Sequence, residues 1–243
     1  MTRRRFIANT WTSTTATLTG DQATHLARVL RAEPGQIYDV VAGGFLHRAE
    51  ITHVSEDEVN FLLHEELESD TALPLHLLLA VFKFDHMEWA IEKATELGVA
   101  SITPVLARRT EKHLAHASAK RVERWRRIAL EASKQSRRTT VPEIADPVSL
   151  KVAIEQEQSS TRILLSETEQ ERSLASIFQP EKKVHDGDSV ALAIGPEGGW
   201  TPEEMAMFSQ QQWQPVTLGP RILRAETAAI AAIAITASCM DAG

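Results

Sequence analysis

The hydrophobic rhythm of the chain changes once, at the acidic, turn-prone stretch Glu65 to Pro74, and no other feature constrains the fold as much. Before it, short apolar runs alternate with turns. Val40 and Val41 precede Gly43-Gly44, Phe45 to Ile51 follows, and Asp57 to His64 carries Val59, Phe61, Leu62 and Leu63. One short helix is expected from Asp21 to about Arg31, capped by Asp21, with Leu26, Val29 and Leu30 on one face. Residues 1–70 therefore read as a small β-rich domain.

After the break, strand-like runs alternate with helical ones over residues 71–243, which predicts an α/β domain with a mainly parallel sheet. Leu75 to Phe82 is nearly continuous in apolar residues, the sign of a strand covered on both faces. Asp85 is then placed to cap a helix with Glu88 as its partner, and Met87, Ala90, Ile91, Ala94 and Leu97 share a face before Gly98 stops it. Ile102 to Leu106, Arg162 to Leu165, Val190 to Ile194 and Pro215 to Leu218 are the later strand candidates.

Charge matters here by its distribution. The net charge of −7 alone argues against a nucleic-acid partner, since phosphate binding recruits positive surface. Between Arg108 and Arg138, however, eleven basic and three acidic residues give a local balance of +8 and leave −15 for the rest. Val122, Trp125, Ala129 and Ala132 recur there at helical spacing, so the segment reads as an amphipathic helix with a basic outer face. Two readings stay open, a solvated face or a surface for local phosphate recognition. The single cysteine, Cys239, sits in an Ala-rich run without a nearby histidine and is expected as a small buried hydrophobe. No disulfide can form within the chain, Arg3 to Arg5 lead into no sustained apolar core, and no run approaches ~18 apolar residues, so a cytosolic protein without a membrane partner is expected.

Two strand-to-turn-to-helix segments could carry chemistry. In the first, Leu192 to Ile194 runs into Gly195-Pro196-Glu197-Gly198-Gly199, and a helix then starts with Thr201 as N-cap, Pro202 in the first position and Glu204 placed for a capping box. Glycines at the C-terminal end of a strand let backbone approach a ligand, although a bare tight turn would use them too. Glu197 inside that turn must be solvated, paired or used. In the second, Val216 to Leu218 runs into Gly219-Pro220, and Arg221, Arg224 and Glu226 bracket Ile222 and Leu223. The helix that follows, Ala228 to Cys239, is so rich in Ala and Ile that it is expected to be buried nearly all round, in the core or against a second subunit. Glycine-rich dinucleotide and Walker signatures and the Gly-x-Ser-x-Gly elbow are absent, and His113 with His116 lacks a third ligand, so no metal is expected.

Together these residues resemble a known family. Phe84 to Glu88, Lys93 to Val99, Arg124-Trp125, Glu131-Ala132, Gln135-Ser136-Arg137, Ile194 to Gly199, Leu218-Gly219 and Ile222 to Ala228 are similar to the bacterial 16S ribosomal RNA uracil-N3 methyltransferases of the SPOUT superfamily. His25-Leu26, Val29 to Arg31 and Gly35 resemble the N-terminal domain of that family. Trp200 departs from it, standing where a smaller aromatic is expected. The resemblance implies a PUA-like β-barrel over 1–70 that helps hold RNA, then a SPOUT α/β domain over 71–243 whose C-terminal segment forms a trefoil knot, and a homodimer built on the knot helices. S-adenosylmethionine is implied against Leu165, Ser166, Glu167, Ile194, Gly195, Pro196, Glu197, Gly198, Gly199, Leu218, Gly219, Ile222, Leu223 and Arg224. RNA contacts are expected from Arg3, Arg4, His25, Arg28, Arg31, Arg109, Arg124, Arg127, Arg137 and Arg138.

Methyl transfer to uracil N3 is an in-line displacement that needs the imide proton removed and the base held near the methyl group. Arg221 and Arg224 are the expected cations for RNA or for the uracil anion, and Glu197 and Glu226 the expected carboxylates; either carboxylate, or neither, could be the base. The implied substrate is a uridine of 16S ribosomal RNA in the small subunit. The competing reading is a non-catalytic ribosome-binding or assembly factor that uses the same basic helix.

Overall fold

The computed structural model describes residues 5–67, 72–136, 138–178 and 188–241, so the expected RNA contacts Arg3, Arg4 and Arg137 lie outside the described residues. The described residues fall into two compact units. The first holds those up to 71 together with Ser133–Thr140, and the second holds Ala72–Ala132 and those from Val141 onward. Residues 133–140, which begin within the last turn of the basic helix Val122–Ser136, thus group with the N-terminal unit.

The first unit is a six-stranded sheet of β1 (Arg5–Ile7), β2 (Thr10–Trp11), β3 (Thr15–Thr19), β4 (Ile37–Ala42), β5 (Phe45–Val54) and β6 (Glu58–Leu67), in the order β1-β4-β5-β6-β3-β2. Since β1 and β2 are consecutive in the chain yet stand at opposite ends of that order, the sheet curls back on itself. Ala8 donates to Val41 and Asn9 to Thr17 where the ends meet. Leu18, Leu26, Val40, Ile51, Val59 and Phe61 fill the inside. The predicted helix is here but shorter and of another kind: α1 (Asp21–Thr24) passes into a π-helical turn, His25–Val29. Its N-cap is Gly20 at φ +63, and Asp21 is the first helical residue instead of the cap. Leu30 bonds to the carbonyl five residues back, at His25, and the wider turn rotates Val29 to 65% exposure while Leu26 stays buried.

In the second unit the described strands form one parallel sheet in the order β10-β8-β7-β12-β11-β13, with β9 beside β8. These are β7 (Leu75–Ala80), β8 (Ser101–Leu106), β9 (Glu143–Ile144), β10 (Val148–Ser149), β11 (Thr161–Leu165), β12 (Val190–Ile194) and β13 (Gln214–Val216). Successive residues of β12 go to opposite faces. Val190, Leu192 and Ile194 join one core with α2 (Phe84–Glu96), α4 (Val122–Ser136) and α7 (Ala225–Asp241), and Ala191 and Ala193 join another with α5 (Leu150–Gln156) and α6 (Pro202–Gln210). Helix on both faces is what makes the strands read as unbroken apolar runs.

Helix details depart from expectation in three places. Lys83, not Asp85, is the N-cap of α2, and Glu88 turns away from the cap to bind Arg124. The Ala-rich α7 begins at Ala225 and packs on α2 and β12, but Thr227, Ala234 and Ser238 are exposed, so one of its faces is open in this chain. Cys239 is half-buried there rather than sealed in the core. In α4, by contrast, Val122, Trp125, Ala129 and Ala132 are all buried, as their spacing predicts.

Candidate active site

Every strand of the second sheet points the same way, so the loops leaving their C-terminal ends gather at one edge. Leu164 pairs with Ala193 and Leu165 with Val216, which sets the loops after β11, β12 and β13 side by side. Leu165 to Glu167, Ile194 to Gly199, and Leu218 with Gly219 therefore leave the sheet at one edge, although more than fifty positions separate the first group from the last, and Pro220 to Arg224 lead on from there to α7. The Ser166 amide donates to the Val216 carbonyl at 3.0 Å, tying the first loop to the third.

The Gly195 to Gly199 turn is held from several sides. Gly199 donates to Pro196 at 2.8 Å and takes φ +69, a conformation that disfavours any side chain. Gly195 packs so closely on Trp200 that an added Cβ would lie 3.1 Å from the indole nitrogen. The Thr201 and Glu204 capping box forms as predicted: Thr201 accepts from the Glu204 amide, and Glu204 Oε2 accepts from the Thr201 amide at 2.8 Å. The other oxygen of this buried carboxylate accepts from the Arg108 amide at 2.7 Å. Arg109 Nη1 donates to the Gly198 carbonyl at 2.6 Å. In the third loop the Thr217 hydroxyl accepts from the Gly219 amide and donates to the Gly219 carbonyl, both at 3.1 Å, and Gly219 takes φ +114.

The two carboxylates that the sequence leaves equivalent are separated by the fold. Glu197 is exposed, with Oε2 3.7 Å from Lys83 Nζ. Glu226, at the start of α7, is only 2% exposed and lies 3.3 Å from His86 Nδ1 on α2. Arg221, Ile222 and Arg224 are exposed on the loop between β13 and α7, Ile222 at 84%.

The expected RNA contacts divide between the units. His25, Arg28, Arg31 and Arg138 belong to the first, with Arg28 paired to Glu56 at 2.8 Å and Arg31 exposed at φ +49. Burial lowers the Arg138 guanidinium to about 10. In the second unit Arg124 is held by both oxygens of Glu88, at 2.6 and 2.7 Å, and Arg121 stacks over Phe84 at 4.7 Å. Arg126 is shared among Glu123, Asp146 and the Ile144 carbonyl, while Arg127 is exposed. Much of the local positive charge on α4 is thus matched by carboxylates.

The family model described as an RNA methyltransferase domain matches residues 69–237, and one described as an RNA methyltransferase PUA domain matches residues 18–63. The ribosomal RNA small subunit methyltransferase E of Bacillus subtilis is 33% identical over 225 residues, 90% of this chain and 88% of that one. This chain belongs to the ribosomal RNA small subunit methyltransferase E family. The Synechocystis methyltransferase E is 34% identical over 90% of this chain and 72% of its own. A crystal structure of the Neisseria gonorrhoeae methyltransferase E bound to S-adenosyl methionine superimposes with a TM-score of 0.81 at 30% identity, covering 98% of each chain.

As a methyltransferase E chain, this protein is an enzyme with an N-terminal PUA-like domain and an α/β methyltransferase domain. Among its described residues no helix is long and apolar enough to cross a membrane, and no group of His, Cys, Asp and Glu could hold a metal ion. Sequence reasoning gives no separate role to Lys83, His86, Thr217 or the Arg109 to Gly198 bond. Arg109 reaches its partner across 89 residues, and no linear spacing carries that signal.

Proposed function

We propose that this chain transfers a methyl group from S-adenosylmethionine to N3 of a uridine in 16S ribosomal RNA of the small subunit, working as a cytoplasmic homodimer. The observation that carries the reading is the convergence of the loops after β11, β12 and β13 at one sheet edge, in a family with a member bound to S-adenosyl methionine. The residues at that edge fit such a ligand. No atom lies within 4 Å of where a Gly219 Cβ would stand, so backbone is left open to contact an adenosyl group. Glu167 and Glu197 supply negative charge for a sulfonium or ammonium centre. Leu165, Ser166, Glu167, Ile194 to Gly199, Leu218, Gly219, Ile222, Leu223 and Arg224 would hold the cofactor, which when bound supplies the electrophilic methyl group.

The chain itself must orient the uracil and manage one proton. Arg221 and Arg224, both exposed, oppose the negative charge that spreads onto the uracil oxygens as N3 loses its proton. Exposed Glu197, beside Lys83, can accept that proton or orient a cation. Glu226 is enclosed beside His86, and its part in this scheme is to fix the start of α7. The knot draws support from the path of the chain, since α7 returns to α2 and β12 after β13 has been laid at the far edge of the sheet. The dimer draws support from the open face of α7 and from exposed Ile222 just before it. A crystal structure tests the threading, and sedimentation tests the dimer.

Arg224→Ala should slow single-turnover methylation of 16S ribosomal RNA by about a hundredfold and weaken cofactor binding far less. Turnover equal to that of the unmodified chain removes Arg224 from the mechanism. Purified chain that binds no S-adenosylmethionine in calorimetry removes the reading as a whole.

A further inference from the structure

Arg109 stands among the cations expected to meet RNA phosphate, yet its surroundings point elsewhere. We infer that Arg109 is a positioning residue that staples the Gly195 to Gly199 turn into its ligand-binding shape, and that it is not a phosphate ligand; this rests on the cofactor reading above.

Three observations carry the inference. The guanidinium donates to the Gly198 carbonyl at 2.6 Å, a charge-assisted bond at the short end of the range. The aliphatic stem of Arg109 lies on Gly198 itself, because a Cβ added there would stand 3.3 Å from Arg109 Cδ and 3.4 Å from its Cβ. At Gly199 the corresponding point is 3.9 Å from Arg109 Nη1 and 3.8 Å from Glu167 Oε1, so a cation from the loop after β8 and a carboxylate from the loop after β11 flank the same left-handed glycine.

The staple also has a rigid base. The preceding amide, of Arg108, donates to Glu204, the carboxylate that closes the cap of α6. Thr110 then donates its hydroxyl to the Val81 carbonyl at 3.0 Å and accepts from the Ala107 amide, which anchors this loop to the end of β7. Residues 108 and 109 therefore hold the carbonyl of the turn and the start of the next helix at once. With no side chain at Gly198 or Gly199, neither peptide plane has steric restraint of its own. Arg109 supplies that restraint, and it selects the carbonyl orientation in which the turn faces its ligand.

The test compares the full chain with R109A, R109K, G198A and the double variant R109A/G198A. Calorimetry reads S-adenosylmethionine affinity, and binding to transcribed 16S ribosomal RNA is followed over a series of salt concentrations. R109A should weaken S-adenosylmethionine binding about tenfold, the loss expected for one hydrogen bond to a charged group. RNA affinity and its salt slope should stay those of the unmodified chain. The KM for S-adenosylmethionine should rise while kcat at saturation is kept, and R109K should recover part of the loss because an ammonium can still donate to the carbonyl. G198A should also weaken cofactor binding, since its methyl group displaces the Arg109 stem, and should cost less in the R109A background, where that stem is gone. The inference is overturned if R109A binds the cofactor like the unmodified chain, if it loses RNA affinity with a shallower salt slope instead, or if G198A costs the same in both backgrounds. Failure of the unmodified chain to bind S-adenosylmethionine overturns the cofactor reading, and the staple with it.

Discussion

Glu204 is a charged residue at 2% exposure, and it is tolerated there because both of its oxygens are matched: one takes the Thr201 amide and the other the Arg108 amide. Thr201 completes the box from its own side chain. The two residues should therefore differ in cost when removed. Thr201→Ala leaves one helix-end amide to water and should lower stability by about 1 kcal/mol, or ~2–4 °C in Tm. Glu204→Ala leaves two partly buried amide donors without their acceptor and should cost about 2–3 kcal/mol. Thermal unfolding of the two variants checks the order, and an equal loss would mean that the Arg108 bond contributes nothing.

Helix α4 shows how one face of an element can be read from spacing while the pairing of charges on the other cannot. Its apolar stripe follows from helical spacing alone, and Trp125 at its centre is fully buried. Its basic face looks continuous in the sequence, but Glu88 from α2 takes Arg124, and Asp146 together with Glu123 takes Arg126. Arg127 is exposed beside them, which makes it the cation we propose for RNA. Arg127→Ala should reduce the slope of RNA affinity against salt by about one phosphate equivalent. Glu88→Gln, which releases Arg124, should steepen it. Titration of RNA at several ionic strengths measures both, and identical slopes would take α4 out of the RNA surface.

At the scale of the whole molecule, the second sheet carries a pH-sensitive pair well away from the ligand edge. His76, near the start of β7, lies 3.4 Å from Glu157 after α5. Burial alone would push the Glu157 carboxyl up, but hydrogen bonds from His76 and Ser159 outweigh it and hold that carboxyl at about 2. The bond to Glu157 raises the His76 imidazole against its own burial. The histidine contribution is complete below its ordinary value of 6.5 and fades as pH rises through the raised folded value. The carboxylate contribution is complete above 4.5 and fades as pH falls toward 2. The Tm advantage of the unmodified chain over His76→Gln should thus be greatest between pH 4.5 and 6.5 and shrink on either side. A pH-independent difference would show that the pair acts by packing alone.

Reading along the chain is enough for the main strands of the second sheet, the apolar faces of α2 and α4, and the glycine turn and cap before α6, though not for the caps of α1 and α2. Those features depend on short-range sterics and on the period of hydrophobic residues, both of which are written in neighbouring positions. The β12 run, the Thr201 and Glu204 box and the α4 stripe were all legible for that reason. The π-turn at His25 was not, because a helix with wider turns uses the same residues with a different phase. Which charges are paired emerges from the folded arrangement. Glu88 exchanged a cap for Arg124, Glu226 was enclosed with His86, and Arg109 was turned onto Gly198. Those pairings follow from a strand order that lays distant loops along one edge, and linear spacing carries no record of that order.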